Sequence, residues 1–258
     1  MSIVACVRVY DGIVLGAESM TQLFTQTAGQ AQFVKAYSNA RKLFQIPQLP
    51  VGILTYGAGN VGTRSIESFV DEYGENTGNA DLTVEQLATS FRDFFSIAYQ
   101  NQFGQLDPTQ QPSIGFYVAG YSPTERIGAD WEFIFPAAQI SKPRPNEFGA
   151  SWRGISIPFT RLYTGVDPRL YGIMQAAGVS QDIITNVQKK ALATLSTPVA
   201  FDGMPVKDAV GYCEFILRTT IATSTYEIGV STCGGPLQVA AITKREGFRW
   251  ISRPELSL

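Results

Sequence analysis

The chain contains no histidine, so any hydrolytic chemistry it performs must find its base elsewhere. A Ser-His-Asp or Cys-His arrangement within the chain is excluded, and so is a zinc site that needs imidazole. Attention falls on the second residue. Removal of an initiator methionine, usual before a small residue, leaves Ser2 with a hydroxyl and a free α-amine on one residue. An α-amine has a reference pKa of about 8 and can act as its own residue's general base near neutral pH, directly or through water. Such a site needs a nearby cation to keep the amine partly neutral, a carboxylate to hold that cation, and a backbone N–H for the oxyanion. Lys42, Glu18 and Gly57 stand at strand ends in the order this arrangement requires. Spacing also fits a plainer reading, in which Ser2 is an ordinary residue after methionine and Lys42 a solvated lysine at a strand edge. Lys35 is a second candidate for the cation, and the apolar neighbours in "RKLFQI" favour Lys42.

The elements that must position these residues follow from pattern. "SIVACVRVYDGIVLGAES" reads as a β-hairpin around Tyr10-Asp11-Gly12-Ile13, with Asp-Gly supplying the positive φ angles of a tight turn. A strand that begins at Ser2 pins that end of the chain inside the fold. Residues 20 to 40, rich in Gln, Thr, Ala and Ser with Gly29 inside, read as a surface excursion. Strands follow at Lys42 to Ile46 and Val51 to Tyr56. Ile66, Phe69, Val70 and Tyr73 recur at helical spacing, as do Leu87, Phe91, Phe94, Phe95 and Ala98 after a capping box at Thr83 and Gln86. Glu67, Asp71 and Glu72 form the solvated face of the first of these helices. "SIGFYVAGYS", "DWEFIFPA" and "GISIPFTRLYTG" read as strands, the stretches at 170–177, 180–195 and 205–224 as helices, and "LQVAAITKREGFRWI" as a closing strand pair. This order does not alternate strand with helix, which predicts one layered α+β domain over residues 1–258 with mainly antiparallel sheets.

Composition narrows the partners. With 45% hydrophobic and 16% charged residues, a net charge of −2 and no basic run, the chain does not fit nucleic acid or an anionic membrane surface. Its longest apolar stretches are strand-length, and its first residues lack the pattern of a signal peptide, so a cytoplasmic protein is expected. Cys6, Cys213 and Cys233 have no CxxC spacing and read as small packing residues. No cofactor and no metal are expected.

Four segments resemble proteasome β-type subunits of the N-terminal nucleophile hydrolase superfamily, as a divergent bacterial-type member. "SIVACVRVYDGIVLGAES" is similar to the family's opening strands, "RKLFQI" to its lysine-bearing strand, "VGILTYGAGNVG" to its strand-to-helix junction, and "STCGGPLQVAAITKREGF" to its ending. The resemblance implies a four-layer αββα sandwich of two antiparallel sheets between helical layers. It places the nucleophile on Ser2, its acidic partner on Glu18, the lysine on Lys42 and the oxyanion N–H on Gly57. It further implies a peptidase acting on peptides or unfolded protein inside a homo-oligomeric ring, with an ATP-dependent unfoldase an open question. The family's nucleophile is usually threonine, and its supporting serines align with Gly165 and with the stretch from Val230 to Cys233, which changes their chemistry. The alternative is a noncatalytic ring or scaffold subunit with a degenerate site. The aromatics of the two central helices, Phe69, Tyr73, Phe91, Phe94, Phe95 and Tyr99, are expected to leave an apolar patch for a neighbouring subunit.

Overall fold

The computed structural model describes residues 2–27, 30–77, 81–144 and 147–254. In chain order the elements are β1 (Ile3–Val9), β2 (Gly12–Ala17), β3 (Thr21–Thr27), β4 (Gln30–Tyr37), β5 (Leu43–Gln45), β6 (Val51–Gly57), β7 (Asn60–Val61), β8 (Arg64–Ser65), α1 (Ile66–Thr77) and α2 (Val84–Phe103). They continue as β9 (Ile114–Gly120), β10 (Ala129–Phe135), β11 (Gly149–Gly154), α3 (Ile157–Thr164), α4 (Arg169–Ala176), α5 (Gln181–Leu195), α6 (Val206–Thr225), β12 (Gln238–Thr243) and β13 (Gly247–Ser252). This is an α+β protein. One sheet has the order β11-β1-β2-β12-β13 and a second the order β10-β9-β6-β5. Every strand pair in both sheets is antiparallel.

Burial explains why β1 and β2 read as near-continuous apolar runs. An antiparallel strand with one wet face alternates polar and apolar residues, whereas β1 and β2 are buried at every position. Ile3, Ala5, Val7 and Val9 pack toward Ala209, Cys213, Ile216 and Leu217 of α6. Val4 and Cys6, on the opposite face, join Leu54, Tyr56 and Tyr117 of the second sheet. The other face of that sheet packs Ile53, Phe116 and Phe133 against Phe69 of α1 and Phe91, Phe95 and Tyr99 of α2. The capping box opens α2 as its residues predict: Gln86 N–H donates to Thr83 Oγ1, and Thr83 N–H to the Gln86 side chain.

Four expectations need correction. Residues 32–39 lie at the surface as expected, but the segment is a two-stranded ribbon, β3 paired with β4, because its Thr, Phe, Val and Tyr content suits a pleated ladder; Gly29 lies outside the described residues. The segment read as a strand from Gly154 to Gly165 is β11 only at its first residue and then becomes α3, with a proline in the first helical turn, where a missing N–H costs nothing. At the β1–β2 turn none of Tyr10, Asp11 and Gly12 adopts positive φ. Glycine is needed at position 12 for space instead, since a Cβ there would lie 2.9 Å from Val206 Cγ2 of α6.

The fourth correction concerns the aromatic patch. Phe69, Tyr73, Phe91, Phe95 and Tyr99 are all buried, and Phe94 packs partly buried against the same cluster. One helix face suffices because Phe91 and Phe95 meet Phe116 of β9 edge-on, Tyr99 stacks on Phe135 of β10, and Phe69 and Tyr73 pack on the rings of α2. Exposed apolar side chains gather instead on α4 and α5, at Leu170, Ile173, Ile183, Leu192 and Leu195. Among the described residues no helix is long and apolar enough to cross a membrane.

Phe95 lies at the centre of the aromatic cluster, its ring centroid 4.9 Å from that of Phe116 and 5.3 Å from those of Phe69 and Phe135. Phe95→Ala is expected to lower unfolding stability by about 3–5 kcal/mol, the range for deleting a buried phenyl. Urea denaturation checks this, as a lower midpoint at unchanged slope.

Candidate active site

Ser2 precedes β1 directly and is almost fully buried. Its carbonyl accepts a hydrogen bond from Ile155 N–H at 2.7 Å, just past the end of β11, so the head of the first strand is held from one side by its sheet neighbour. Met1 lies outside the described residues. A cavity of about 290 Å³ opens against Ser2 and is lined also by Thr21, Lys42, Thr55 and Gly57.

Lys42 sits just before β5, its side chain buried and ion-paired with Glu18 Oε1. A second of its three N–H donors goes to the carbonyl of Met20. Glu18 is fully buried, and its other oxygen accepts backbone N–H groups from Met20 at 2.8 Å and Gly234 at 3.0 Å. Each formal charge in this pair therefore has further hydrogen bonds, the condition under which a buried ion pair is tolerated. Burial lowers the lysine pKa below its usual value, while Glu18 acts in the opposite direction. Lys35, the other candidate cation, is exposed on β4 with its ammonium 5.3 Å from the centre of the Tyr37 ring.

Gly57 ends β6 at φ 95°, a left-handed value that favours glycine. A Cβ there would lie 2.3 Å from the Ser113 carbonyl oxygen, so even alanine is excluded without backbone movement. Along β6 the backbone groups alternate in direction. Thr55 N–H donates to Lys42 O and Ala58 N–H to Ser113 O, so Gly57 N–H points away from β9, to the side of Lys42. The structure thus brings Ser2, Lys42 and Gly57 to one cavity, with Glu18 behind Lys42.

Gln238 of β12 is a site residue the sequence reading missed. Its buried Oε1 accepts from the backbone N–H of Lys42 at 2.9 Å and of Leu43 at 3.0 Å, while its Nε2 donates to Ala40 O at 2.8 Å. One amide side chain thereby fixes the backbone on both sides of the lysine. The available signal was a lone glutamine in the apolar run "LQVAAI". Ser19 is a second omission; its buried hydroxyl lies 2.6 Å from Ser38 O and 2.8 Å from Pro236 O, which ties the segment after Glu18 to its neighbours.

The positions aligned with supporting serines lie elsewhere in function. Gly165 caps α3 in the left-handed conformation, its N–H bonded to Arg161 O, and it does not line the Ser2 cavity. The segment against Ser2 is Gly154–Ile155, displaced from the expected one because the chain turns into a helix there. Ser231 and Thr232 contact the Ser224 hydroxyl of α6 at 3.3 and 2.9 Å. Cys233 is buried, burial pushes its thiol up to about 11, and its Sγ lies 3.8 Å from Thr220 O. That favours packing over reactivity at this thiol. Glu67 is partly exposed and Asp71 exposed, as a solvated face requires, and both lie within ion-pair distance of Arg41, which lines the cavity.

The geometry defines an α+β protein of antiparallel sheets that seats a buried lysine–carboxylate pair beside a serine at the head of its first strand. Among solved structures the chain is similar to Anbu (ancestral beta-subunit) from Yersinia bercovieri, with a TM-score of 0.55 at 14% identity over 97% of this chain and 87% of that one. No family model matches the chain, and no curated protein matches it. The expected membership among divergent bacterial-type proteasome β-type subunits is therefore corrected: no family model supports it, and a likeness to Anbu at this distance carries the fold alone. The quoted segments are short strand and turn patterns, and such patterns do not establish membership.

Removing the carboxylate charge tests the pairing. Glu18→Gln strands a buried ammonium and is expected to cost about 3–5 kcal/mol at neutral pH. With only burial then acting strongly on Lys42, the unfolded chain binds that proton more tightly than the folded one. Stability rises with pH wherever this holds, so the deficit relative to wild type should shrink as pH climbs toward 10.5, the ordinary lysine value. Urea unfolding of both proteins across that range checks the sign.

Proposed function

We propose that this chain is an N-terminal nucleophile hydrolase that cleaves amide bonds of peptides or unfolded protein through Ser2 after removal of Met1. The observation that carries the reading is the single cavity lined by Ser2, Lys42 and Gly57 with Glu18 buried behind the lysine. In this mechanism the α-amine of Ser2 takes the proton from its own hydroxyl, directly or through water, as Oγ attacks the substrate carbonyl carbon. Gly57 N–H receives the developing oxyanion. The C–N bond then breaks, the leaving amine takes the proton from the α-ammonium, and an ester to Ser2 remains. Water, deprotonated by the same amine, hydrolyses that ester and restores the hydroxyl. The ammonium of Lys42 favours the neutral form of the amine, and Glu18 orients Lys42.

The reading extends to domain organisation, assembly and compartment. The chain is a single domain over residues 1–258, and the three apolar clusters support a four-layer αββα sandwich of the N-terminal nucleophile type. Anbu's description as a subunit supports an oligomeric assembly, which in this reading is a ring of copies of this chain, and α4 and α5 offer the exposed apolar side chains for such contacts. The working compartment is the cytoplasm. A second reading, a noncatalytic scaffold subunit, is favoured by one observation: the hydroxyls of Ser231 and Thr232 are engaged with α6.

Intact mass before and after a β-lactone probe separates the two. The enzyme reading expects a chain that begins at Ser2 and gains one probe adduct on that residue. Ser2→Ala should abolish labelling, Ser2→Thr should retain or raise it, and Lys42→Ala should slow it about a hundredfold, the scale for losing a catalytic group. Unchanged peptidase activity in Ser2→Ala would place the site elsewhere. For the assembly, light scattering at micromolar concentration should give a mass well above a dimer, and the mass of one chain would refute the ring.

A further inference from the structure

A polar network, buried at Tyr56 and Glu132 and half-buried at Arg153, joins the two sheets next to the candidate site and plays no part in the chemistry assigned above. Tyr56 donates its hydroxyl to Glu132 Oε1 at 2.6 Å. Arg153 grips the same carboxylate with two bonds, Nε to Oε1 at 2.7 Å and Nη2 to Oε2 at 2.8 Å. The Arg153 guanidinium also stands 5.7 Å from the centre of the Tyr117 ring. Tyr56 belongs to β6 and Glu132 to β10, both in the four-stranded sheet, whereas Arg153 belongs to β11 at the edge of the other sheet. One carboxylate thus bolts sheet to sheet.

The ends of this bolt adjoin the reacting groups. Tyr56 immediately precedes Gly57. Arg153 pairs with Val4, the next residue, Gly154, pairs with Ile3, and Ile155 N–H holds the Ser2 carbonyl. Gly115 lies across from Tyr56 on β9, and a Cβ there would fall 2.1 Å from Tyr56 Cζ. The ring therefore crosses β9 at a position with no side chain and reaches Glu132 one strand beyond. Burial and the neighbouring carboxylate both push the Tyr56 hydroxyl upward, so it stays a proton donor at neutral pH.

We propose that Tyr56, Glu132 and Arg153 are positioning residues that set the separation between Ser2 and the Gly57 N–H. This rests on the hydrolase reading for its catalytic consequence and on geometry alone for its structural one. A nucleophile and an oxyanion donor carried on different sheets need such a bolt, because misplacement by about 1 Å can cost a hundredfold in rate.

Two readouts test it, on Tyr56→Phe, which keeps the ring and removes the donor, and on Arg153→Lys, which cannot make the paired bonds. The first is β-lactone labelling of Ser2, followed to completion. The expected result is a full wild-type endpoint approached about 10- to 100-fold more slowly, and for Arg153→Lys a lower kcat on a chromogenic peptide amide with KM nearly unchanged. A lost endpoint at wild-type rate would mean that the network only supports folding, and unchanged rates in both variants would overturn the proposal outright. The second readout needs no catalysis: hydrogen exchange at the Ile155 amide should accelerate about tenfold in Tyr56→Phe while β12 and β13 amides keep their protection. If wild type never labels, the hydrolase reading falls; unchanged exchange at Ile155 would then overturn the bolt separately.

Discussion

The ion pair between Lys42 and Glu18 is the constraint around which the rest of the site is arranged. Two charges removed from water are tolerated only where geometry and additional hydrogen bonds offset their desolvation. The chain meets that condition with groups from distant segments. Gly234 and Met20 supply N–H groups to the carboxylate, the Met20 carbonyl takes a lysine proton, and Gln238 holds the backbone to either side of Lys42. Because those groups come from both ends of the sequence, the pair can form only when the five-stranded sheet and the start of the four-stranded sheet are already in register. The pair is therefore a consequence of the completed fold and a specification of it.

Apolar burial and polar bridging divide the work of holding the sheets together. Between the sheets Val4, Cys6, Leu15, Leu54 and Tyr117 form a cluster that is non-directional and tolerant of small slips. Directional contacts remove that tolerance near Ser2, where Glu132 accepts from Tyr56 and Arg153 together. The glycines follow the same logic, Gly57 by its backbone angle and Gly115 by the ring that lies over it.

The likeness to Anbu and the departures from the expected family pattern are compatible. A fold can persist at 14% identity while its individual supports drift, because core packing asks for apolar volume and a site asks for particular atoms. Here the hydroxyls of Ser231 and Thr232 lie against α6, and Gly165 caps α3. In this chain Lys42 and Glu18 form a buried ion pair, the most demanding contact in the site.

Local chemistry was legible in the chain. The absence of histidine, the hairpin from Ser2 to Glu18, the capping box before α2 and the apolar periodicity of the central and C-terminal helices each depend on residues close in sequence. Those readings went astray where two local tendencies competed, as in the polar but β-prone ribbon of residues 21–37 and in the proline-led turn from β11 into α3. Ser2, Glu18, Lys42 and Gly57 could be named as candidates from type and order, but type and order say nothing of whether they meet. Only the tertiary structure decided that, along with the roles of Gln238, Tyr56, Glu132 and Arg153, whose partners lie far away in sequence. The physical reason is range: backbone propensity and capping act over a few residues, whereas burial and hydrogen-bond satisfaction are settled by whichever groups the packed sheets bring together.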